Sequence, residues 1–600
     1  MSYPRIEDHA IIGDLQTAAL VATDGTIDWF CCPRFDSPSV FASLLDHRRG
    51  GRFSLGPVTP AHRTKQMYMP DTAILVTRHL SPGGVAEVLD FMPIDRPHVV
   101  SDRRRIVRVV RGVRGEVELE ARVEPRFDYG RSRHDVSVNG TTAVFECGTF
   151  RLQLSSLTAL QRDGDDVRSR FTVAAGDVRG FVLESGEATN RTTIGHGEVL
   201  QMYAETEAYW RRWLERGTYR GRWREEVDRS AIALKLMTYA PTGGLVAAPT
   251  AGLPEQIGGP RNWDYRYTWV RDGSFSVYAL LGLGFTDEAA AFGDWLRKRL
   301  EEQAGDGSGP LKIMYRVDGG SDLIEEALDH FEGYMGSRPV RIGNDASDQL
   351  QLDIYGEAFN SIYVADTGAL GASGVGHDAW NDMVGILDWL CEHWDEPDEG
   401  IWETRGGRRP FVFGRLMSWV AFDRAIRMAM NRGRPADLAR WMQTRDAIHG
   451  AIMTKGWNDQ LGAFVQYEGS DVLDASLVLM PLMGFIVPND SRWQSTMSAM
   501  EQKLVSDSLV YRYDPEASPD GLPGSEGTFS LCTFLYADAL ARSGHRDEAR
   551  LTFSKMLTYA NHVGLYSEEI SATGEQIGNF PQAFTHLALI TAALSLESET

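Results

Sequence analysis

Two different periods of apolar and polar positions divide this chain near residue 215. Before it, short runs alternate or are β-branched: Thr72–Arg78, Glu116–Val123 and Phe171–Ala175. Side chains of period two fall on opposite faces of a strand. Turn signals separate the runs at Pro82-Gly83-Gly84, Val138-Asn139-Gly140 and Asp163-Gly164-Asp165. Many short strands broken by frequent turns predict a large antiparallel β-sandwich over residues 1–215.

Around Ala204–Trp223 the period lengthens to that of a helix and stays so to the end. Roughly twelve amphipathic segments follow, starting near residues 224, 267, 286, 345, 376, 413, 434, 473, 491, 527, 545 and 580. Pro and Gly clusters punctuate them, as at Gly258-Gly259-Pro260 and Gly521-Leu522-Pro523-Gly524. Residues 216–600, with a linker helix at the start, therefore fit an (α/α)6 toroid or barrel, and periodicity alone equally allows a helical solenoid. The expected fold class is multi-domain, an N-terminal antiparallel β-sandwich followed by the (α/α)6 barrel.

Composition narrows the partners. With 83 acidic against 61 basic residues the net charge is −22, which repels phosphate backbones and anionic lipid. Nucleic acid and membrane surfaces are thereby disfavoured. The local run Asp102-Arg103-Arg104-Arg105, with Arg108 and Arg111, reads as a solvated strand or edge. No stretch approaches the ~18–20 apolar residues of a membrane span, and the N-terminus lacks a signal peptide's basic start and apolar core. Five scattered cysteines, an odd number, suit reduced core thiols. These features predict a cytoplasmic protein acting on a small molecule.

Common catalytic motifs are missing, and Gly371–Gly376 reads as a plain loop because no βαβ unit surrounds it. Three loops between helices remain, each rich in aromatics and carboxylates: Asn262–Asp272, Asp395–Glu403 and Tyr566–Gln582. Sugars present apolar C–H faces rimmed by hydroxyls, so aromatic platforms beside Arg/Asp forks suit them. Glycoside hydrolysis needs two carboxyl groups, one protonated acid and one base or nucleophile. Glu403, after Ile401 and Trp402, is placed for a raised pKa and hence for the acid. Glu568 has more polar sequence neighbours and suits an ionised base. Glu325, read with Glu326 as a solvated helical face, is the alternative acid, and Glu569 the alternative base.

On these residues the chain resembles glycoside hydrolase family 15, the glucoamylases, glucodextranases and prokaryotic trehalases. Asp264–Asp272 resembles the family's Tyr-x-Tyr-x-Trp-x-Arg-Asp segment, Trp402-Glu403 its acid motif, and Ser567-Glu568-Glu569 with Gly574-Glu575-Gln576 its base segment. Glu7–Asp14 and Asp28-Trp29-Phe30 resemble the opening of prokaryotic members. The resemblance implies Glu403 and Glu568 as catalytic acid and base of an inverting enzyme. It implies Arg271 and Asp272 on the glucose hydroxyls, Tyr265, Trp269 and Trp402 as walls, and Arg338 of Arg338-Pro339 lining the same pocket. Where starch-acting members carry a second Glu after the acid, this chain has Thr404 and then Arg405, and a stacking Trp before the Arg-Pro is missing. Both departures affect the leaving-group side and favour a small α-glucoside, trehalose first, with isomaltose or maltose-type substrates as the alternative.

The chemistry requires no cofactor and no metal, although the resemblance leaves room for dependence on Mg²⁺ or phosphate. A sugar-binding protein would need the aromatic loops without two separated glutamates. A disaccharide phosphorylase would replace the base with a phosphate pocket. The oligomeric state is not legible in the sequence.

Overall fold

A computed structural model describes residues 3–186, 193–302, 309–367, 375–518 and 520–597. The N-terminal part is an antiparallel β-sandwich organised by one long strand, Arg105–Glu124. The first half of this strand pairs with Gly84–Phe91 and Val178–Ser185, and the second half with Asp166–Ala174 and Arg52–Pro57. The change of partners falls at a bulge, where Val85 pairs with Arg114 but Ala86 with Gly112. Glycine is needed there, since a Cβ on Gly112 would sit 1.9 Å from the Ala174 carbonyl oxygen. The turn signals at 82–84, 138–140 and 163–165 all lie between paired antiparallel strands.

The arginine run corrects its own reading. Arg104 and Arg108 are buried, with side chains 4% and 0% exposed. Arg108 makes a two-pronged pair with Asp90 at 2.8 and 3.0 Å and also donates to the Phe53 carbonyl. Burial is tolerated because the guanidinium meets a carboxylate and backbone oxygens rather than apolar atoms. Arg104, Arg105 and Arg108 are thus internal structure, while Asp102 is exposed and Arg103 and Arg111 are half-buried.

Twelve α-helices follow among the described residues: α1 (His196–Leu214), α2 (Arg224–Leu236), α3 (Val270–Gly282), α4 (Thr286–Glu302), α5 (Asp353–Thr367), α6 (His377–His393), α7 (Val412–Arg432), α8 (Leu438–Lys455), α9 (Ser491–Lys503), α10 (Ser530–Arg542), α11 (Arg546–Leu557) and α12 (Ala583–Glu597). α1 lies on the sheet strand Val178–Ser185. The inner ring runs α3, α5, α7, a 3-10 turn at Ala475–Leu479, α10 and α12, which closes back onto α3. This ring selects the (α/α)6 barrel over a solenoid. Inner helices such as α7 and α10 are buried nearly all round, whereas α11 buries only the stripe Ala549, Thr552, Phe553, Met556.

Two expected helices differ. The segment near 473 is only a 3-10 turn, because Pro481 and the left-handed Gly484 follow it. The segment near 345 opens with a 3-10 turn at Asp345–Asp348 and becomes α-helical only at Asp353. Before that, the Leu350 and Leu352 amides donate to Glu399 and Asp398 of a neighbouring loop instead of to helix carbonyls. Most of Gly371–Gly376 lies outside the described residues. All five cysteines are free, and Cys31, Cys32 and Cys532 are buried. No helix among the described residues is long and apolar enough to cross a membrane.

Candidate active site

All three aromatic-plus-carboxylate loops meet where the inner helices begin. Residues 262–269 run extended into α3, so alternate side chains take opposite sides. Asp264 and Arg266 form a buried two-pronged pair at 2.8 and 2.6 Å, and Arg266 also donates to the Ser37 carbonyl of the sheet domain. Trp263 and Tyr265, which alternate with them in sequence, face the cavity. α3 starts at Val270, close to the expected start near 267, which puts Arg271 and Asp272 in its first turn.

Glu403 sits on a tight turn. Its amide donates to the Gly400 carbonyl at 3.1 Å, and its own φ is +57°, uncommon for a residue with a Cβ. Its Oε1 accepts from Trp269 Nε1 at 2.7 Å and lies 3.6 Å from Arg271 Nη1. Arg271 also donates to Asp272 at 3.0 Å and to the Ile401 carbonyl at 2.7 Å, tying the first loop to the second. Burial raises the Glu403 pKa above the ordinary carboxylate value, against the opposing pull of Arg271 and the Trp269 bond. Trp402 is pinned by Asp474, which accepts its Nε1 at 3.0 Å.

Glu568 departs from the expected setting. It is fully buried rather than openly polar. Its Oε1 accepts from the Tyr265 hydroxyl at 2.6 Å and its Oε2 from the Asn579 amide at 3.3 Å. Gly578 leaves room for it: a Cβ there would stand 2.6 Å from Oε2, and φ is +77°. Burial, reinforced by the charge of Glu255, pushes the Glu568 pKa up to about 8. Glu569 turns away from the cavity to accept from the Gly527 amide at 2.7 Å.

Of the residues singled out in the sequence, Tyr265, Arg271, Trp402 and Glu403 line the cavity. Trp269, Asp272 and Glu568 stand behind this lining, joined to it by the hydrogen bonds above. Arg338 is not brought in: it is exposed and donates to the Glu332 carbonyl at 3.3 Å. Glu325 and Glu326 are not helical, since Glu326-Ala327 pairs as a strand with Arg341-Ile342. Glu325 instead binds Arg341 at 3.0 Å and Arg405 at 3.1 Å.

Glu255, Arg512, Phe529 and Phe584 also line the cavity and escaped the sequence reading. Glu255 accepts from Trp263 Nε1 at 2.9 Å. It lies 3.5 Å from Arg512, which makes a two-pronged pair with Glu526 at 2.8 and 2.6 Å. A lone carboxylate in the apolar run Ala247–Glu255, and an arginine between Tyr511 and Tyr513, were the available signals.

The cavity thus holds carboxyl groups on separate loops, aromatic walls and an Arg-Asp fork. Residues 221–594 match the description of Glycosyl hydrolases family 15, and residues 1–156 that of Trehalase-like, N-terminal. The chain belongs to glycosyl hydrolase family 15. As a member it is a glycoside hydrolase. It is 38% identical to a trehalase of Thermoplasma acidophilum, over 96% of this chain and 98% of that one. It is 36% identical to a trehalase of Mycobacterium tuberculosis, over 99% and 89%. A bacterial glucoamylase complexed with acarbose shares the family fold at TM-score 0.70 and 12% identity, over 100% of this chain and 94% of that chain.

Proposed function

We propose that this family 15 hydrolase cleaves a small α-glucoside, trehalose first, with inversion, using Glu403 as general acid and Glu568 as general base. The observation that carries the reading is that the two glutamates are bonded to different rings of one loop, Trp269 and Tyr265, and not to each other. Two carboxyls held apart leave space for the sugar and for a water on its far face. Glu403, with its raised pKa, donates a proton to the glycosidic oxygen as the bond breaks. Glu568 takes a proton from the attacking water once ionised. Arg271, backed by Asp272, binds hydroxyls of the glucose being cleaved, between walls formed by Tyr265 and Trp402 with Trp269 behind them.

The full-length similarity to trehalases supports trehalose over longer glucans. Glucose release from trehalose, isomaltose and maltose, each with and without phosphate, tests the reading. The highest kcat/KM on trehalose, with free glucose as the product in either buffer, is the expected result. Preference for isomaltose or maltose would assign the alternative substrate, and glucose 1-phosphate as product would assign a phosphorylase.

A further inference from the structure

The mouth of the cavity carries a charge-locked aromatic assembly that the two-glutamate chemistry does not use. Trp263 lines the cavity, and two guanidinium groups lie over its ring, Arg341 at 4.7 Å and Arg405 at 4.8 Å from the centroid. One carboxylate holds both: Glu325 Oε1 is 3.0 Å from Arg341 and Oε2 is 3.1 Å from Arg405. Asp345 stands 4.0 Å from Arg405, and its amide donates to Glu325 at 3.4 Å. Arg341 is further tied to the Pro260 carbonyl at 2.8 Å and does not line the cavity. Arg405 does line it, with its side chain 29% exposed.

Depth in the cavity indicates which sugar Arg405 meets. Phe529, Gln582 and Phe584 are 3–4% exposed, with Arg271 over the Phe584 ring at 5.3 Å, whereas Arg405 is the exposed residue of the lining. Glu403 is bonded to Trp269 and lies 3.6 Å from Arg271 on one side, and is followed two residues later by Arg405. A general acid contacts the bond to the leaving group, so the side of Glu403 away from Arg271 is where the leaving sugar sits. The Arg405 backbone is fixed there, its amide donating to the Asp520 carbonyl at 2.7 Å. A guanidinium has five N–H groups in a rigid fork, and the ion pair with Glu325 orients this fork rather than using all of it.

On the reading proposed above, we infer that Arg405, oriented by Glu325 and backed by Trp263, is the specificity residue for the leaving sugar, binding the hydroxyls of a single neutral hexose. Arg405 touches the leaving group, while Glu325 and Arg341 are positioning residues that act through it.

The test compares a substrate that has a leaving sugar with one that does not. Wild type, Arg405→Ala and Glu325→Gln are assayed on trehalose and on α-glucosyl fluoride, with thermal melting followed in parallel. Arg405→Ala is expected to lose about ten- to a hundredfold in kcat/KM on trehalose and to stay within about threefold of wild type on the fluoride. Glu325→Gln, which keeps both arginines but unlocks them, should show a smaller loss on trehalose, mainly through KM, and none on the fluoride. Equal losses on both substrates, or no loss on trehalose, would overturn the assignment. If Arg405→Ala does not fold, the Glu325→Gln ratio alone decides. Wild type inactive on both trehalose and the fluoride would instead overturn the proposed substrate reading on which the assignment rests. Wild type preferring another disaccharide moves the comparison to that sugar.

Discussion

Tyr265 and Trp269 pack edge to face with ring centroids 5.4 Å apart, and each donates to a different glutamate. The Tyr265 hydroxyl meets Glu568 at 2.6 Å and Trp269 Nε1 meets Glu403 at 2.7 Å. One short extended segment thus holds the two carboxyls from separate loops in register. If these glutamates are acid and base, this loop sets their spacing, expected at roughly 6.5–9.5 Å for an inverting pair.

Removing one of these bonds should expose its contribution. The Tyr265 bond stabilises ionised Glu568 and so lowers its pKa. Tyr265→Phe should move the acidic limb of the kcat/KM profile upward. A hydrogen bond to a charged group contributes about 1.5–3 kcal/mol, so kcat/KM near neutral pH should fall about ten- to a hundredfold. An unchanged limb would separate Tyr265 from the base.

Glu255 gives the opposite sign. Its negative charge disfavours ionisation of Glu568, and both carboxyls are raised by burial. Glu255→Gln removes the like charge, so Glu568 should ionise at lower pH and the acidic limb should move down. A pH profile of kcat/KM, which reports the free enzyme, measures this directly. An upward shift or no shift would contradict the placement of the charge.

Asp272 is buried and paired with Arg271 at 3.0 Å. Asp272→Asn keeps the shape but weakens charge-assisted bonds to a hydroxyl, each contributing about 1.5–3 kcal/mol. The expected result is a fall of about ten- to a hundredfold in kcat/KM with melting temperature little changed. Wild-type kinetics would remove this residue from the sugar site.

How far the sequence could be read depends on whether a residue's environment is local. The strand-to-helix change, the hairpin turns and the aromatic loops at Asn262–Asp272 and Asp395–Glu403 are local signals, and each matches its element. Glu568 was misjudged because Ser567 and Glu569 are polar, whereas its surroundings are made by Tyr265, more than three hundred residues away, and by Gly578. Glu255 and Arg512 were missed for the same reason: within their own segments each is an isolated charge, and only folding joins them. Arg338 matched a motif by order and approximate spacing and stands exposed outside the cavity lining, and of the pair read as a helical face Glu326 lies in a strand with Ala327 whose partner is Arg341-Ile342.

The acid and base separate by leaving group. Glu403→Gln should cost roughly 10²–10⁴ in kcat on a disaccharide and far less on α-glucosyl fluoride, whose leaving group needs little protonation. Glu568→Gln should lose activity on both substrates. Equal losses for Glu403→Gln would show that the acid lies elsewhere.

The most direct test of the central claim is the anomeric composition of glucose first released from trehalose, followed by NMR before mutarotation. Inversion by Glu403 and Glu568 yields one β-glucose from the attacked ring and one α-glucose from the leaving ring, an initial ratio of about 1:1. Two α-glucose molecules per trehalose would mean retention, and would contradict the acid–base pair as described.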